Sequence, residues 1–235
     1  MIPRFIVAVL SLALAACARG EEGAASAPRQ DVRDSRGPTD TAERPVVLFL
    51  GTSLTAGLGL NPEEAYPALV QRKLDSAGLA WQAVNAGLSG ETSAGALRRL
   101  DWLLNGPVRI VVVETGANDG LRGLDVDSTR ANLEAIIGRI RAHDSTIAIV
   151  LAGMEAPPNL GPRFTARFRA IFAELARRHG LVLIPFLLEG VGGIDSLNQS
   201  DGIHPNSRGQ EIVAATVWRT LEPVLRRLAM PRTAR

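Results

Sequence analysis

The chain has 235 residues, a formal net charge of +2, 46% apolar and 21% charged residues, and one cysteine. A single cysteine excludes an internal disulfide, so the fold must stand on its hydrophobic core. The near-balanced charge, with scattered arginines and Lys73 the one lysine, leaves no basic stripe for nucleic acid, and no protein partner is signalled.

Met1-Ile2-Pro3-Arg4 precedes an apolar run from Phe5 to Leu14, and then Ala15-Ala16-Cys17. One basic residue, a short apolar core and small residues at its end predict a secretory signal over 1–16, too short to span a bilayer stably. Leu14-Ala15-Ala16-Cys17 resembles the bacterial lipobox. That resemblance implies that Cys17 is lipidated and anchors an exported protein to a membrane, on the periplasmic, outer-membrane or cell-surface side. Residues 17–44 lack large apolar side chains and read as a flexible tether. The folded domain is expected over 45–229, with a frayed tail at 230–235.

Val46 to Leu50 is a run of β-branched and large apolar residues, a buried strand that stops on Gly51. Asn61-Pro62-Glu63-Glu64 predicts a helix start, with apolar residues to Leu74 and an end before Gly78. A second strand is expected over Leu79 to Ala86, and a helix over Glu91 to Asn105. Val108 to Val113 reads as a fully buried strand. Asp127 or Ser128 is expected to cap the next helix, whose inner face carries Leu133, Ile136, Ile137 and Ile140. Thr146 to Leu151 and Leu181 to Pro185 are strands, separated by a helix over Arg163 to His179 with a phenylalanine stripe. Asn206 opens a last helix with Ile212, Val213, Val217 and Leu221 inward. Five strands alternating with helices and no hairpin signal predict an α/β fold: a three-layer αβα sandwich on a five-stranded parallel sheet. Phe186 to Pro205 lacks a period, and a long loop of that kind in a compact domain is usually functional.

Four segments leave carboxyl ends of strands, where a parallel sheet puts its ligands. The first holds Ser53, the second Asn85 to Ser93 with Gly90, the third Glu114 to Gly120 with Asn118, and the fourth Asp201-Gly202-Ile203-His204. Serine is a weak nucleophile until a base takes its proton, and histidine serves because neutral imidazole is available near pH 7. A carboxylate three residues before the histidine can hold the ring in one tautomer and stabilise the imidazolium. His143 and His179 lie at helix ends, where a cation suits the dipole, and read as structural. Asp125 and Asp127 have no histidine or carboxylate cluster around them, so no metal is expected. The glycines Gly51, Gly57 and Gly59 fit neither a dinucleotide nor a phosphate-loop pattern, so no cofactor is expected.

The four blocks, in this order and spacing, resemble the SGNH (GDSL-type) hydrolases, and within them the multifunctional bacterial esterases of the acyl-CoA thioesterase I, lysophospholipase L1 and arylesterase group. Gly116-Ala117-Asn118-Asp119-Gly120-Leu121-Arg122-Gly123 and Asp201-Gly202-Ile203-His204-Pro205-Asn206 carry the match. The resemblance implies the flavodoxin-like SGNH fold and a serine esterase with Ser53, His204 and Asp201 as the triad. It assigns the oxyanion hole to the Ser53 and Gly90 backbone N–H groups and the Asn118 amide. It also implies an acyl ester or lysophospholipid substrate, with Leu121, Leu124, Met154 and Pro157 bordering the acyl site. One departure stands out: the family commonly has Gly-Asp-Ser-Leu, and Thr52 replaces the aspartate here. Acyl-CoA is a cytosolic compound, so the expected address argues against a thioesterase role in the cell. Two other readings stay open, a carbohydrate or peptidoglycan O-acetylesterase and a non-catalytic lipid-binding lipoprotein.

Overall fold

In the computed structural model the described residues are 43–230. The signal segment, Cys17, nearly all of the tether and the last residues of the tail lie outside them. Among the described residues no helix is long and apolar enough to cross a membrane.

Five strands, β1 (Val46–Gly51), β2 (Gln82–Gly87), β3 (Val108–Glu114), β4 (Ala148–Ala152) and β5 (Val182–Ile184), form one parallel sheet in the order β2-β1-β3-β4-β5. Every residue of β1 is buried, as is β3 apart from Arg109, which is what a strand covered on both faces requires. β2, at the sheet's edge, is only partly covered. The chain moves from β1 outward to β2, then back past β1 to β3, β4 and β5. Right-handed crossovers therefore put the helix of the β1–β2 connection on one face and the helices of the β2–β3, β3–β4 and β4–β5 connections on the other. One layer pairs α2 (Tyr66–Ser76) with α7 (Ser207–Ala229); the other packs α3 (Ser93–Leu103) on α5 (Val126–His143) and α5 on α6 (Pro162–His179). The reversal lies between β1 and β3, the point at which a doubly wound sheet puts its ligands.

The core is mostly aliphatic, with Phe49 edge-on to Tyr66 at 5.6 Å and Phe168 edge-on to Phe172 at 5.6 Å. The phenylalanine stripe of α6 is thus packing, with Phe168 and Phe172 both buried.

Several boundaries differ from the sequence reading. The helix expected from Asn61 is interrupted: Pro62–Glu64 is a single 3-10 turn, Ala65 is extended, and α2 begins at Tyr66. Pro67 has no N–H for the Glu63 carbonyl and its ring would clash there, so one helix cannot run through both. The Arg72 guanidinium donates to that Glu63 carbonyl instead. β2 starts at Gln82 rather than Leu79, where Val46 pairs with Gln82 in register. Asp125, not Asp127 or Ser128, caps α5, its carboxylate accepting the Ser128 N–H at 2.7 Å. Ile212 is exposed, because the inner stripe of α7 runs through Gln210, Val213, Ala214, Val217 and Leu221. Two short helices had no signal in the periodicity: α1 (Ser53–Ala56) and α4 (Ala117–Leu121), each opening at the mouth of a strand.

Candidate active site

The register lines Gly51 of β1 up with Gly87 of β2 and Glu114 of β3, so these residues mark the carboxyl edge of the sheet. Ser53 opens α1 just past that line, 8% exposed. Gly90 lies in the turn after β2 at φ +78°, a conformation that costs glycine little. Asn118 lies in α4 after β3 and is buried.

The fourth segment comes back to this edge from the far end of the sheet. It is not the structureless loop that its lack of period suggests. Asn198 and Pro205 form an antiparallel bridge, and the buried Asn198 amide donates to the Val191 carbonyl at 2.7 Å and the Ile194 carbonyl at 2.9 Å. Asn206, the N-cap of α7, accepts the Gly209 N–H at 3.1 Å and donates to the Ser196 carbonyl at 3.0 Å. Gln199 ties the segment to the first block by donating to the Leu58 carbonyl at 2.7 Å. Single turns, such as the Gln199 N–H on the His204 carbonyl at 2.7 Å, and side-chain amides hold this stretch without a repeating ladder, which is why periodicity missed its order.

Within it, Asp201 Oδ1 accepts the backbone N–H of Ile203 at 2.9 Å and of His204 at 3.0 Å, closing a tight turn. The other oxygen, Oδ2, is 2.6 Å from His204 Nδ1, and His204 Nε2 is 2.9 Å from Ser53 Oγ. With Nδ1–H given to the carboxylate, Nε2 presents its lone pair and the Ser53 hydroxyl donates to it. The His204 backbone N–H, then its ring, hold the Asp201 carboxyl down at about 2, so it stays ionised across the physiological range.

The other two blocks are braced together. Asn118 Nδ2 donates to the Glu91 carbonyl at 3.0 Å, leaving its second N–H uncommitted, and Arg122 donates to the Gly90 carbonyl at 2.9 Å. Asp119, 2% exposed, accepts the Ser93 N–H at 2.8 Å and the Ser93 hydroxyl at 2.5 Å. Glu91 pairs with Arg99 at 2.6 Å, and the same guanidinium donates to the Ala86 carbonyl at 2.7 Å and the Gly51 carbonyl at 3.3 Å. Among the described residues, neither the Ser53 nor the Gly90 backbone N–H donates to a protein acceptor.

Leu121 and Leu124 are exposed just beyond Asn118, and Pro157 is half-buried in the loop after β4. That loop reaches the same segment: Leu160 Cδ2 is 3.3 Å from where a β-carbon on residue 123 would stand. Met154 departs from the sequence reading, being 3% exposed and packed into the core rather than facing an open surface. Asp127, weighed for a metal, instead pairs with Arg167 at 2.9 Å. His143 is exposed at the end of α5, and His179 ends α6 with its Nε2 3.3 Å from Glu134. Periodicity and motif reading both passed over Glu114. The available signal was an acid closing a strand of otherwise buried apolar residues, where an unpaired charge is expensive.

A doubly wound parallel sheet with a hydrogen-bonded Ser–His–Asp chain at its switch point has the architecture of the SGNH-type ester hydrolases. The profile of the GDSL-like lipase/acylhydrolase family matches residues 49–212. The chain is 39% identical over 188 residues to esterase TesA of Pseudomonas aeruginosa, covering 80% of this chain and 92% of that protein. It is 36% identical over 184 residues to thioesterase 1/protease 1/lysophospholipase L1 of Escherichia coli strain K12, covering 76% of this chain and 84% of that one. Among solved structures, the psychrotrophic esterase EstA from Pseudoalteromonas sp., inhibited by monoethylphosphonate, superposes with a TM-score of 0.73 at 35% identity, over 77% of this chain and 98% of that chain. The protein belongs to the GDSL-like lipase/acylhydrolase family and, with it, to the carboxylic ester hydrolases.

Proposed function

We propose that the protein is a serine esterase that cleaves acyl esters through a Ser53–His204–Asp201 triad. The observation that carries this reading is the continuous chain from Ser53 Oγ to His204 Nε2 at 2.9 Å and from His204 Nδ1 to Asp201 at 2.6 Å. Ser53 Oγ attacks the ester carbonyl while His204 Nε2 takes its proton. The imidazolium that forms is stabilised by the Asp201 carboxylate. The tetrahedral oxyanion is held by the Ser53 and Gly90 N–H groups and the free N–H of the Asn118 amide. Collapse breaks the ester C–O bond, and the alcohol leaves with the proton from His204. Water then attacks the acyl-serine, giving one proton to His204, and the acid departs as Ser53 recovers its hydrogen.

The names of these two relatives, an esterase and a thioesterase/lysophospholipase, support an acyl ester or a lysophospholipid as the substrate class. Leu121 and Leu124, exposed just beyond Asn118, and Pro157, half-buried in the loop after β4, are assigned to the acyl side. The Leu14-Ala15-Ala16-Cys17 segment supports export and attachment to a membrane through lipidated Cys17, which favours a substrate met outside the cytoplasm.

The test is hydrolysis of p-nitrophenyl esters of increasing chain length by the protein and by Ser53→Ala. Turnover that disappears in the variant supports the triad, and the preferred chain length separates an acetylesterase from a lipid-directed enzyme. A folded wild type that hydrolyses none of them refutes the general esterase reading.

A further inference from the structure

Glu114 ends β3 fully buried, and no step of the proposed reaction uses it. A carboxylate so placed costs several kcal/mol unless donors surround it. Its donors come from both sides of Ser53. The Thr52 N–H reaches Oε2 at 2.8 Å, the Thr52 hydroxyl lies 3.0 Å from Oε1, and the Thr55 hydroxyl lies 2.7 Å from Oε2. Tyr66 completes the set: its hydroxyl is 2.7 Å from Thr55 Oγ1, whose own hydrogen is committed to Glu114, so the phenol donates. The salt bridges among the described residues bring no cation to it.

The room for this arrangement comes from Gly51. A β-carbon there would stand 1.9 Å from Thr55 Oγ1 and 2.6 Å from Glu114 Oε2. The missing side chain thus lets a strand-end carboxylate slide under the turn that carries Ser53. Thr52, where the family commonly has aspartate, supplies a hydroxyl hydrogen in place of a second carboxylate. Two ionised carboxylates in this dry site would repel strongly.

We propose that Glu114 and Thr52 form a positioning pair for Ser53, clamping the turn from Gly51 to Thr55 onto β3 so that Ser53 Oγ meets His204 Nε2 and the Ser53 N–H faces the oxyanion. The proposal rests on Ser53 being the nucleophile. Packing alone does not call for the pair, since apolar side chains of similar volume often replace buried charged groups without loss of stability. What the carboxylate adds is direction, fixing the Thr52 amide plane and the first turn of α1 at once.

The test compares Thr52→Val, Thr52→Ser and Glu114→Gln with wild type, at a temperature where circular dichroism shows each folded. Thr52→Val keeps the shape and the amide bond but deletes the hydroxyl. Two quantities are read: kcat and KM on a p-nitrophenyl ester, and the rate at which Ser53 is phosphonylated by an activated ethyl phosphonate ester. Thr52→Val and Glu114→Gln should each lower kcat and the phosphonylation rate about 10- to 100-fold with KM within about twofold, the cost of a nucleophile displaced by a fraction of an ångström. Thr52→Ser should recover the rate, and the double variant should be no slower than Glu114→Gln alone. If Glu114→Gln fails to fold, the Thr52→Val and Thr52→Ser contrast decides alone. Folded Thr52→Val with wild-type kcat and phosphonylation rate, or with only KM raised, overturns the positioning role while Ser53 stays the nucleophile. A wild type that neither hydrolyses esters nor takes the phosphonate overturns the Ser53 reading, and the positioning role with it.

Discussion

One carboxylate of Asp201 does two separate tasks for His204: Oδ1 holds the histidine's backbone N–H at 3.0 Å, and Oδ2 holds its ring Nδ1 at 2.6 Å. The turn and the tautomer therefore depend on the same side chain. Asp201→Asn keeps the volume but can present an amide N–H to Nδ1, which turns the ring's lone pair away from Ser53. Turnover should fall about 10⁴-fold with KM little changed, as steady-state kinetics on a p-nitrophenyl ester would show. A loss below tenfold would mean that the tautomer is set elsewhere.

Asn118 has one N–H on the Glu91 carbonyl at 3.0 Å and the other available to an oxyanion. Asn118→Ala should cost about 10²–10³ in kcat and leave KM nearly unchanged, because that contact strengthens only as charge develops on the substrate oxygen. An equal rise in KM would instead point to ground-state binding.

Stability should depend on pH with opposite signs at two carboxyls. Burial pushes Glu114 up from 4.5 to about 7, against the lowering effect of the Thr52 and Thr55 hydrogen bonds. The folded state then holds a proton that the unfolded chain has released, so stability falls as pH climbs from 4.5 to about 7. At 1.36 kcal/mol per unit the total is about 3 kcal/mol. The titratable side chain facing Glu114 is Tyr66, whose phenol burial drives well above its ordinary range, and it stays neutral throughout that window. Urea denaturation at a series of pH values should show the slope in wild type and its loss in Glu114→Gln. Asp201 acts the other way. Its depressed carboxyl contributes stability that is complete above 3.8 and is lost as pH falls towards about 2, a small effect because its side chain is 44% exposed.

Arg99 braces the site from beneath. Its guanidinium pairs with Glu91, whose side chain is 6% exposed, and bonds the carbonyls at the ends of β1 and β2. Arg99→Ala leaves that acid unpaired and should destabilise the protein by about 3 kcal/mol in chemical denaturation. Replacing both partners, Glu91→Leu with Arg99→Met, should recover most of the loss. No recovery would show that the carbonyl bonds, rather than the ion pair, carry the stability.

The architecture was legible from the chain because burial leaves a composition behind. Val46 to Leu50 and Ile110 to Val113 are apolar throughout since both faces of the sheet are covered, and the inner stripes of α5 and α6 repeat at helical spacing. Asn206 capping α7 is likewise a local choice that the peptide backbone imposes. Ser53, Gly90, Asn118, Asp201 and His204 could be nominated by their place after strands and by the blocks they sit in. Sequence also nominated Met154 for the acyl side, and the structure buries its side chain in the core.

Only the tertiary structure determined the contacts that span the chain. Ser53 and His204 are 151 positions apart and meet at 2.9 Å because the sheet order returns the last loop to the first strand. Thr52 and Glu114, 62 apart, meet because β1 and β3 are neighbours with Gly51 opposite the acid. Residue types and local spacing are encoded in the chain, but a hydrogen bond depends on tenths of an ångström, which come from register and side-chain packing. The fold class was therefore written in the sequence, whereas the clamp beneath the serine existed only once the strands were paired.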